Sequence, residues 1–266
     1  MRFRVEAGAA GPVKVLYLPA VDSTNRWAKA HLAEFDAVGA VWTMSQTAGR
    51  GRLGRAWANA AGRALYYTAV LRRPLADPAA LPLYASLALS RVLGARYGIA
   101  ARVKWPNDLL LGGKKIAGIL CESVADGRGR AILCGIGVNL AQETAMFEAA
   151  GLPHATSLAL QGVQVSPQDD APALAEALTG EFGPAMEEFA ARGFAACRDA
   201  YRRACLNLGR RVTFEGGAGT AIDIDSEGRL VVETEAGPTR VFTGEVSVGG
   251  IYGAVNAETG APPAQN

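Results

Sequence analysis

The chain has 266 residues, 50% of them hydrophobic and 20% charged, an ordinary globular composition for one large domain or one domain with a small appendage. No apolar run approaches the roughly 18–20 residues of a membrane span and no N-terminal segment has the make-up of a cleaved secretory signal, so no membrane partner is expected and the cytoplasm is the natural compartment. A net charge of +2, from 27 basic and 25 acidic side chains, is too balanced to hold nucleic acid by charge alone; four cysteines without CxxC spacing and two isolated histidines, His31 and His154, argue against a disulfide framework, a zinc site or a histidine-based triad.

Residues 13–19 read as a short strand. Asp22-Ser23-Thr24-Asn25 then opens a helix carried by Trp27, Ala28, His31, Leu32 and Phe35, capped at Asp22 or Ser23. Residues 39–45 read as a second strand and 64–71 as a third, with a glycine- and arginine-rich loop from Gln46 to Asn59 between them. Residues 78–97 have helical period and stop at Gly98. From 101 to 140 the pattern is strand, Pro turn, strand, Gly112-Gly113 hairpin, strand, turn, strand. Residues 172–206 are helical with a break near Gly193. From Gly209 short alternating runs are split by Gly and Asp turns, which predicts a small all-β barrel. The expected division is 1–207 for a catalytic domain, 208–256 for the barrel and 257–266 for a disordered tail.

Four constellations could carry chemistry. In Gly49-Arg50-Gly51-Arg52-Leu53-Gly54-Arg55, glycines admit close backbone approach to an anion and arginines offer forks for phosphate or carboxylate. A solvated basic segment is the plain alternative, against which stand the strand-like runs on both sides. In Lys104-Trp105-Pro106-Asn107-Asp108, followed by Lys114-Lys115, a hairpin at Gly112-Gly113 can bring Asp108 near Lys115. A lysine there would stabilise charge developing at phosphorus, and a carboxylate beside it could hold a metal or accept a proton; a surface ion pair is the plain alternative. Gly135-Ile136-Gly137-Val138-Asn139-Leu140 lets something pack on a strand backbone but fails as a GxGxxG loop at Leu140. Ser23-Thr24-Asn25, taken alone, is a helix start.

Together, Ser23-Thr24-Asn25, Gln46 before GRGRLGRAW, KWPNDLLLGGKKIAGILCE and GIGVNL occur in the order and rough spacing of the biotin protein ligases, and the sequence resembles the bacterial biotin–[acetyl-CoA-carboxylase] ligases over about residues 13–250. The resemblance implies an α+β fold, a mixed and mostly antiparallel sheet with flanking helices (class II synthetase-like), plus the small C-terminal barrel. It implies biotin contacts from Ser23, Thr24, Asn25, Gln46, Gly49, Arg50, Gly51, Arg52, Lys115 and Gly118. It implies ATP and adenylate contacts from Arg50, Arg52, Arg55, Trp57, Lys104, Asn107, Lys115 and Asn139, with Trp57 as a stacking face for adenine. Lys115, Arg52 and Asp108 would carry the catalysis, Asp108 as the proton acceptor.

The implied reaction is the attachment of biotin to one lysine of a biotin carboxyl carrier protein through biotinyl-5'-AMP, with ATP and Mg2+ but no certain metal ligand in the chain. The Gly-Arg loop would close as a lid. Two departures stand out. Some relatives carry arginine where Leu53 stands. Relatives that double as repressors carry an N-terminal winged helix, whereas 22 residues precede Ser23 here, so specific DNA binding is not expected. A homodimer through a sheet edge is compatible with the resemblance. The alternatives are a lipoate–protein ligase with the same two-step chemistry and, more remotely, a nucleic-acid-binding module using the arginine loop.

Overall fold

The computed structural model describes the backbone of residues 2–5 and residues 13–242, 244, 246–249 and 251. The expected tail at 257–266 and the last residues of the expected barrel lie outside them. The first half contains β1 (Arg2–Val5), β2 (Val13–Tyr17), α1 (Thr24–Ala30), β3 (Val38–Thr43), β4 (Gly49–Arg50), β5 (Ala56–Trp57), β6 (Ala64–Leu71), α2 (Leu81–Tyr97), β7 (Arg102–Lys104), β8 (Asp108–Leu111), β9 (Lys114–Asp126) and β10 (Gly129–Asn139). The second half contains α3 (Thr144–Ala149), α4 (Pro167–Phe182), α5 (Glu187–Arg192), α6 (Arg198–Ala204), β11 (Arg211–Phe214), β12 (Gly217–Ile224), β13 (Leu230–Thr234), β14 (Gly237–Val241) and β15 (Ser247–Val248).

Eight strands form one sheet in the order β1-β2-β3-β6-β10-β9-β8-β7. Among the described strand pairs of this sheet only β2 and β3 run parallel; they are joined through α1, as a parallel connection requires. The mixed, mostly antiparallel sheet with flanking helices is therefore as expected. Period-two alternation in β6 assigns its two faces. Leu65, Tyr67, Ala69 and Leu71 enter the main core with α2 and α4. Val70 packs under α1 with Ala28, Leu32 and Phe35. Tyr66 and Thr68 share the face of Val70, and that face carries the site.

Local signals end several elements where they were read, although α1 stops at Ala30 and the rest of the run expected to Phe35 forms only a 3-10 turn at Leu32–Glu34. Ser23 is the cap of α1, its side chain accepting from the Arg26 amide. Gly98, at φ 69°, closes α2. Gly112 and Gly113 both have positive φ, 57° and 77°, and make the β8–β9 hairpin. The stretch read as one broken helix over 172–206 is three helices. It starts earlier, at Ser166-Pro167, a cap followed by a residue suited to the first helical position, and it also breaks at Gly183.

The C-terminal unit corrects one expectation. It is a five-stranded antiparallel sheet, β14-β13-β12-β11-β15, and among the described residues its edge strands do not pair to close a barrel. The last run, expected as one strand, is divided. β14 stops at Val241, Gly244 adopts φ 106°, and only Ser247–Val248 returns to pair with β11. A two-residue edge strand cannot also span to β14. The small sheet is packed on the large one: Val212, Ala221, Ile224 and Leu230 belong to the main core, and Trp105 Nε1 donates to Gly228 O at 2.9 Å.

Candidate functional site

A cavity of about 850 Å3 opens on the α1 face of the large sheet. Its floor is backbone. A Cβ on Gly135 would stand 2.5 Å from Asn25 Oδ1, one on Gly137 2.6 Å from the Trp57 ring, and one on Gly118 2.7 Å from the same ring. The glycines of GIGVNL and KKIAG thus admit side chains that lie flat on the strands, the structural use that the failed GxGxxG pattern left open.

One end of the cavity is neutral and polar. Thr24 donates to Gln46 Oε1 from its amide at 2.9 Å and from its hydroxyl at 3.2 Å. Thr68 Oγ1 lies 2.8 Å from Thr24 Oγ1 and donates to Asn25 Oδ1 at 2.6 Å. Asn25 Nδ2 donates to Glu122 Oε2 at 2.6 Å and to Leu120 O at 3.3 Å. Ser23, Thr24, Asn25 and Gln46 are all buried. Burial of so many polar groups is tolerable because they bond to one another.

The other end is cationic. Arg50, Arg52, Arg55, Lys104 and Lys115 line it, and Asp108 is the single carboxylate among the described lining residues. Asp108 is the register partner of Lys104 across β7–β8 and its Oδ1 lies 2.7 Å from Lys115 Nζ. Lys115 Nζ also sits 5.3 Å from the centroid of the Trp57 ring. The excess of positive charge around a low-dielectric cleft suits an anion of more than one charge.

The Gly-Arg segment is a small hairpin, β4 pairing with β5, roofing this end. Arg52 Nη1 donates to Asn107 Oδ1 at 2.8 Å, and Arg52 Nη2 to Gly244 O at 3.2 Å. Asn107 is itself held by β9, donating to Ile119 O at 2.8 Å and accepting from the Ile119 amide at 2.9 Å. The hairpin tip is strained: Leu53, 70% exposed, has φ 56°, a left-handed conformation unfavourable for a branched side chain. Tyr66 anchors the returning strand, accepting from the Ala60 amide at 2.8 Å and donating to Ala58 O at 3.0 Å. Burial pushes the Tyr66 phenol up to about 12, so it stays a donor at neutral pH.

The candidate residues Ser23, Thr24, Asn25, Gln46, Arg50, Gly51, Arg52, Arg55, Trp57, Lys104, Asn107, Asp108, Lys115, Gly118 and Asn139 come together around the one cavity. Gly49 is not among the lining residues; it stands behind the wall, where a Cβ would meet Gln46 Nε2 at 2.5 Å. Asn139 is buried, donating to Thr156 O at 2.9 Å and accepting from Gln142 at 2.8 Å. Sequence reasoning missed Thr68, Glu122, Tyr66, Gln142 and the 152–155 segment that bridges β9 at Lys115. It also missed α3, which contributes Met146 and Phe147. Glu122 stood inside a recognised motif; the others lack a local signal.

No group of three or more His, Cys, Asp or Glu side chains able to hold a metal exists among the described residues. No described helix is long and apolar enough to cross a membrane.

Comparison with known proteins shows the family. The family described as "Biotin/lipoate A/B protein ligase family" matches residues 17–139, and "Biotin protein ligase C terminal domain" matches 208–249. The chain is 37% identical over 246 residues, 88% of its own length and 100% of the relative's, to a biotin–[acetyl-CoA-carboxylase] ligase of Paracoccus denitrificans. It is 30% identical over 259 residues, 94% of its length and 78% of the relative's, to the bifunctional ligase/repressor BirA of Bacillus spizizenii. Among solved structures, a biotin protein ligase from Aquifex aeolicus in complex with biotin and ATP superposes with a TM-score of 0.74 at 27% identity, covering 88% of this chain and 97% of that one.

Proposed function

The chain belongs to the biotin protein ligase family, and we propose that it attaches biotin to one lysine of a biotin carboxyl carrier protein through biotinyl-5'-AMP. The observation that carries this is the polarity of the cavity: a neutral hydrogen-bonding end at Thr24, Asn25 and Gln46, and a cationic end at Arg50, Arg52 and Lys115. Biotin has a cyclic urea at one end and a carboxylate at the other. The dithiolane of lipoate carries no hydrogen-bond donor, so it would leave the remaining lone pair of Asn25 Oδ1 without a partner, at a cost.

In the first step the biotin carboxylate attacks the α-phosphorus of ATP and pyrophosphate leaves. Lys115 and the loop arginines stabilise the negative charge that builds on the phosphoryl oxygens. In the second step the neutral ε-amine of the acceptor lysine attacks the anhydride carbonyl and AMP leaves. Asp108, ion-paired with Lys115, is positioned to take the amine proton. The roof at Arg52 excludes water from the anhydride. With Asp108 the one lining carboxylate and no metal-binding cluster among the described residues, magnesium would enter with the ATP phosphates, where it would neutralise phosphate charge, and Asp108 would be the side chain able to hold it. Trp57 and Asn139 serve the adenine.

On this reading the enzyme acts on a carboxylase carrier in the cytoplasm, and a homodimer is compatible with it. The test is pyrophosphate exchange with labelled pyrophosphate. Exchange that requires biotin, is not supported by lipoate, and is followed by label transfer to a carrier domain is expected. Exchange supported by lipoate alone would overturn the reading.

A further inference from the structure

We propose that Glu122 and Thr68 are positioning residues that lock the Asn25 carboxamide as a hydrogen-bond acceptor, so that this point of the site selects a ureido N–H of the ligand; the inference rests on the biotin reading above. Thr68, Gly135 and Leu120 are register partners across β6, β10 and β9. They form one row on the site face. Asn25 lies on that row, its Oδ1 over the Cα of Gly135 where any Cβ would intrude. On one side Thr68 donates to Oδ1 at 2.6 Å. On the other, Nδ2 reaches Leu120 O at 3.3 Å and, one pleat further, Glu122 Oε2 at 2.6 Å.

A carboxamide has two N–H donors and two acceptor lone pairs. Leu120 O and Glu122 take both donors, and Thr68 takes one lone pair. One lone pair of Oδ1 is left for a ligand. Rotating the amide by 180° would set Oδ1 against the Leu120 carbonyl and the Glu122 carboxylate, two acceptors facing an acceptor. The carboxylate enforces the orientation most strongly, because a charged partner makes the stronger hydrogen bond. Of the groups on a cyclic urea, only N–H can meet a lone pair. Glu122 itself is exposed and is not among the cavity-lining residues, so it acts on the ligand through Asn25.

The test uses Glu122→Ala, Glu122→Gln and Thr68→Val in the full chain, read by biotin-dependent pyrophosphate exchange. Glu122→Ala should raise KM for biotin roughly tenfold while kcat at saturating biotin and KM for ATP stay unchanged. Glu122→Gln, whose side-chain carbonyl still accepts, should restore most of the loss. The preference for biotin over biotin methylated at the ureido nitrogens should fall in Glu122→Ala and Thr68→Val, since an unlocked amide can turn its N–H outward. An unchanged biotin KM in Glu122→Ala, or an unchanged preference for the unmethylated ligand, overturns the lock. Glu122 is exposed, so its variants keep the test readable if Thr68→Val does not fold. Wild-type exchange that ignores biotin overturns the functional reading itself, whereas biotin-dependent exchange with an unmoved KM overturns only the lock.

Discussion

Lys115 and Asp108 face each other across the β8–β9 hairpin with Nζ 2.7 Å from Oδ1. A bulge between Leu109 and Leu110 shifts the register there, so that Asp108 pairs with Gly118 and Leu110 with Lys115. Lys115 therefore reaches back along the hairpin toward Asp108 rather than straight across it. Lys115→Ala should lower biotin-dependent pyrophosphate exchange about 10²–10³-fold, the usual loss when an electrostatic stabiliser of a developing charge is removed. Thermal stability should move little, because a partly exposed pair contributes about 0–1 kcal/mol. Exchange kinetics beside a melting curve check both halves; wild-type exchange in the variant refutes the assignment.

Arg52 ties the roof to Asn107 and to the Gly244 carbonyl. Arg52→Gly removes both contacts and adds chain freedom to a segment already rich in glycine, where ordering each residue costs about 1–2 kcal/mol. Retention of the adenylate should suffer more than its synthesis. The expected result is biotin appearing on an unrelated lysine-rich protein as well as on the carrier. Labelling confined to the carrier would refute the lid.

Gly135 and Gly137 can be separated by alanine. Neither has a positive φ, so the backbone accepts the change and the effect comes from the new Cβ. Gly135→Ala displaces Asn25 and should raise KM for biotin. Gly137→Ala displaces the Trp57 ring and should raise KM for ATP and shift tryptophan fluorescence. Steady-state kinetics in each substrate distinguish them, and equal effects on both KM values from both variants would contradict the division of the floor.

Asp225 sets the pH response of the small sheet. Burial raises its carboxyl, but the Arg229 guanidinium and the amides of Arg229 and Glu227 outweigh this and hold it below the ordinary carboxylate value. It accepts from Arg229 Nε at 2.6 Å and from the Arg229 and Glu227 amides at 3.0 Å. Its stabilisation is therefore fully present above the unfolded value of about 3.9 and is lost as pH falls through the lower folded value. Asp225→Asn should lower Tm by about 2 °C at pH 7 and by progressively less as the pH falls below the ordinary carboxylate value toward the lowered folded one. A gap that widens on acidification would contradict the sign.

What the amino-acid sequence determined by itself was everything set within a few residues. The Ser23 cap, the left-handed stop at Gly98 and the Gly112-Gly113 hairpin follow from local backbone preference. The central strands of the large sheet were legible as short apolar runs bounded by turn residues, β6 being buried along its whole length, although β1 was not read; the binding motifs were legible because each is continuous. The tertiary structure alone decided how they meet. Asn25 and Glu122 are 97 residues apart in the chain and 2.6 Å apart in space. Thr68 and Asn25 are 43 apart. Sheet register sets such distances, and register comes from the packing of whole strands rather than from either residue. The same reason leaves the barrel unclosed among the described residues. Alternation marked the strands of the C-terminal unit correctly, but closure depends on whether its two edges reach each other, and the turn at Gly244 leaves β15 only two residues.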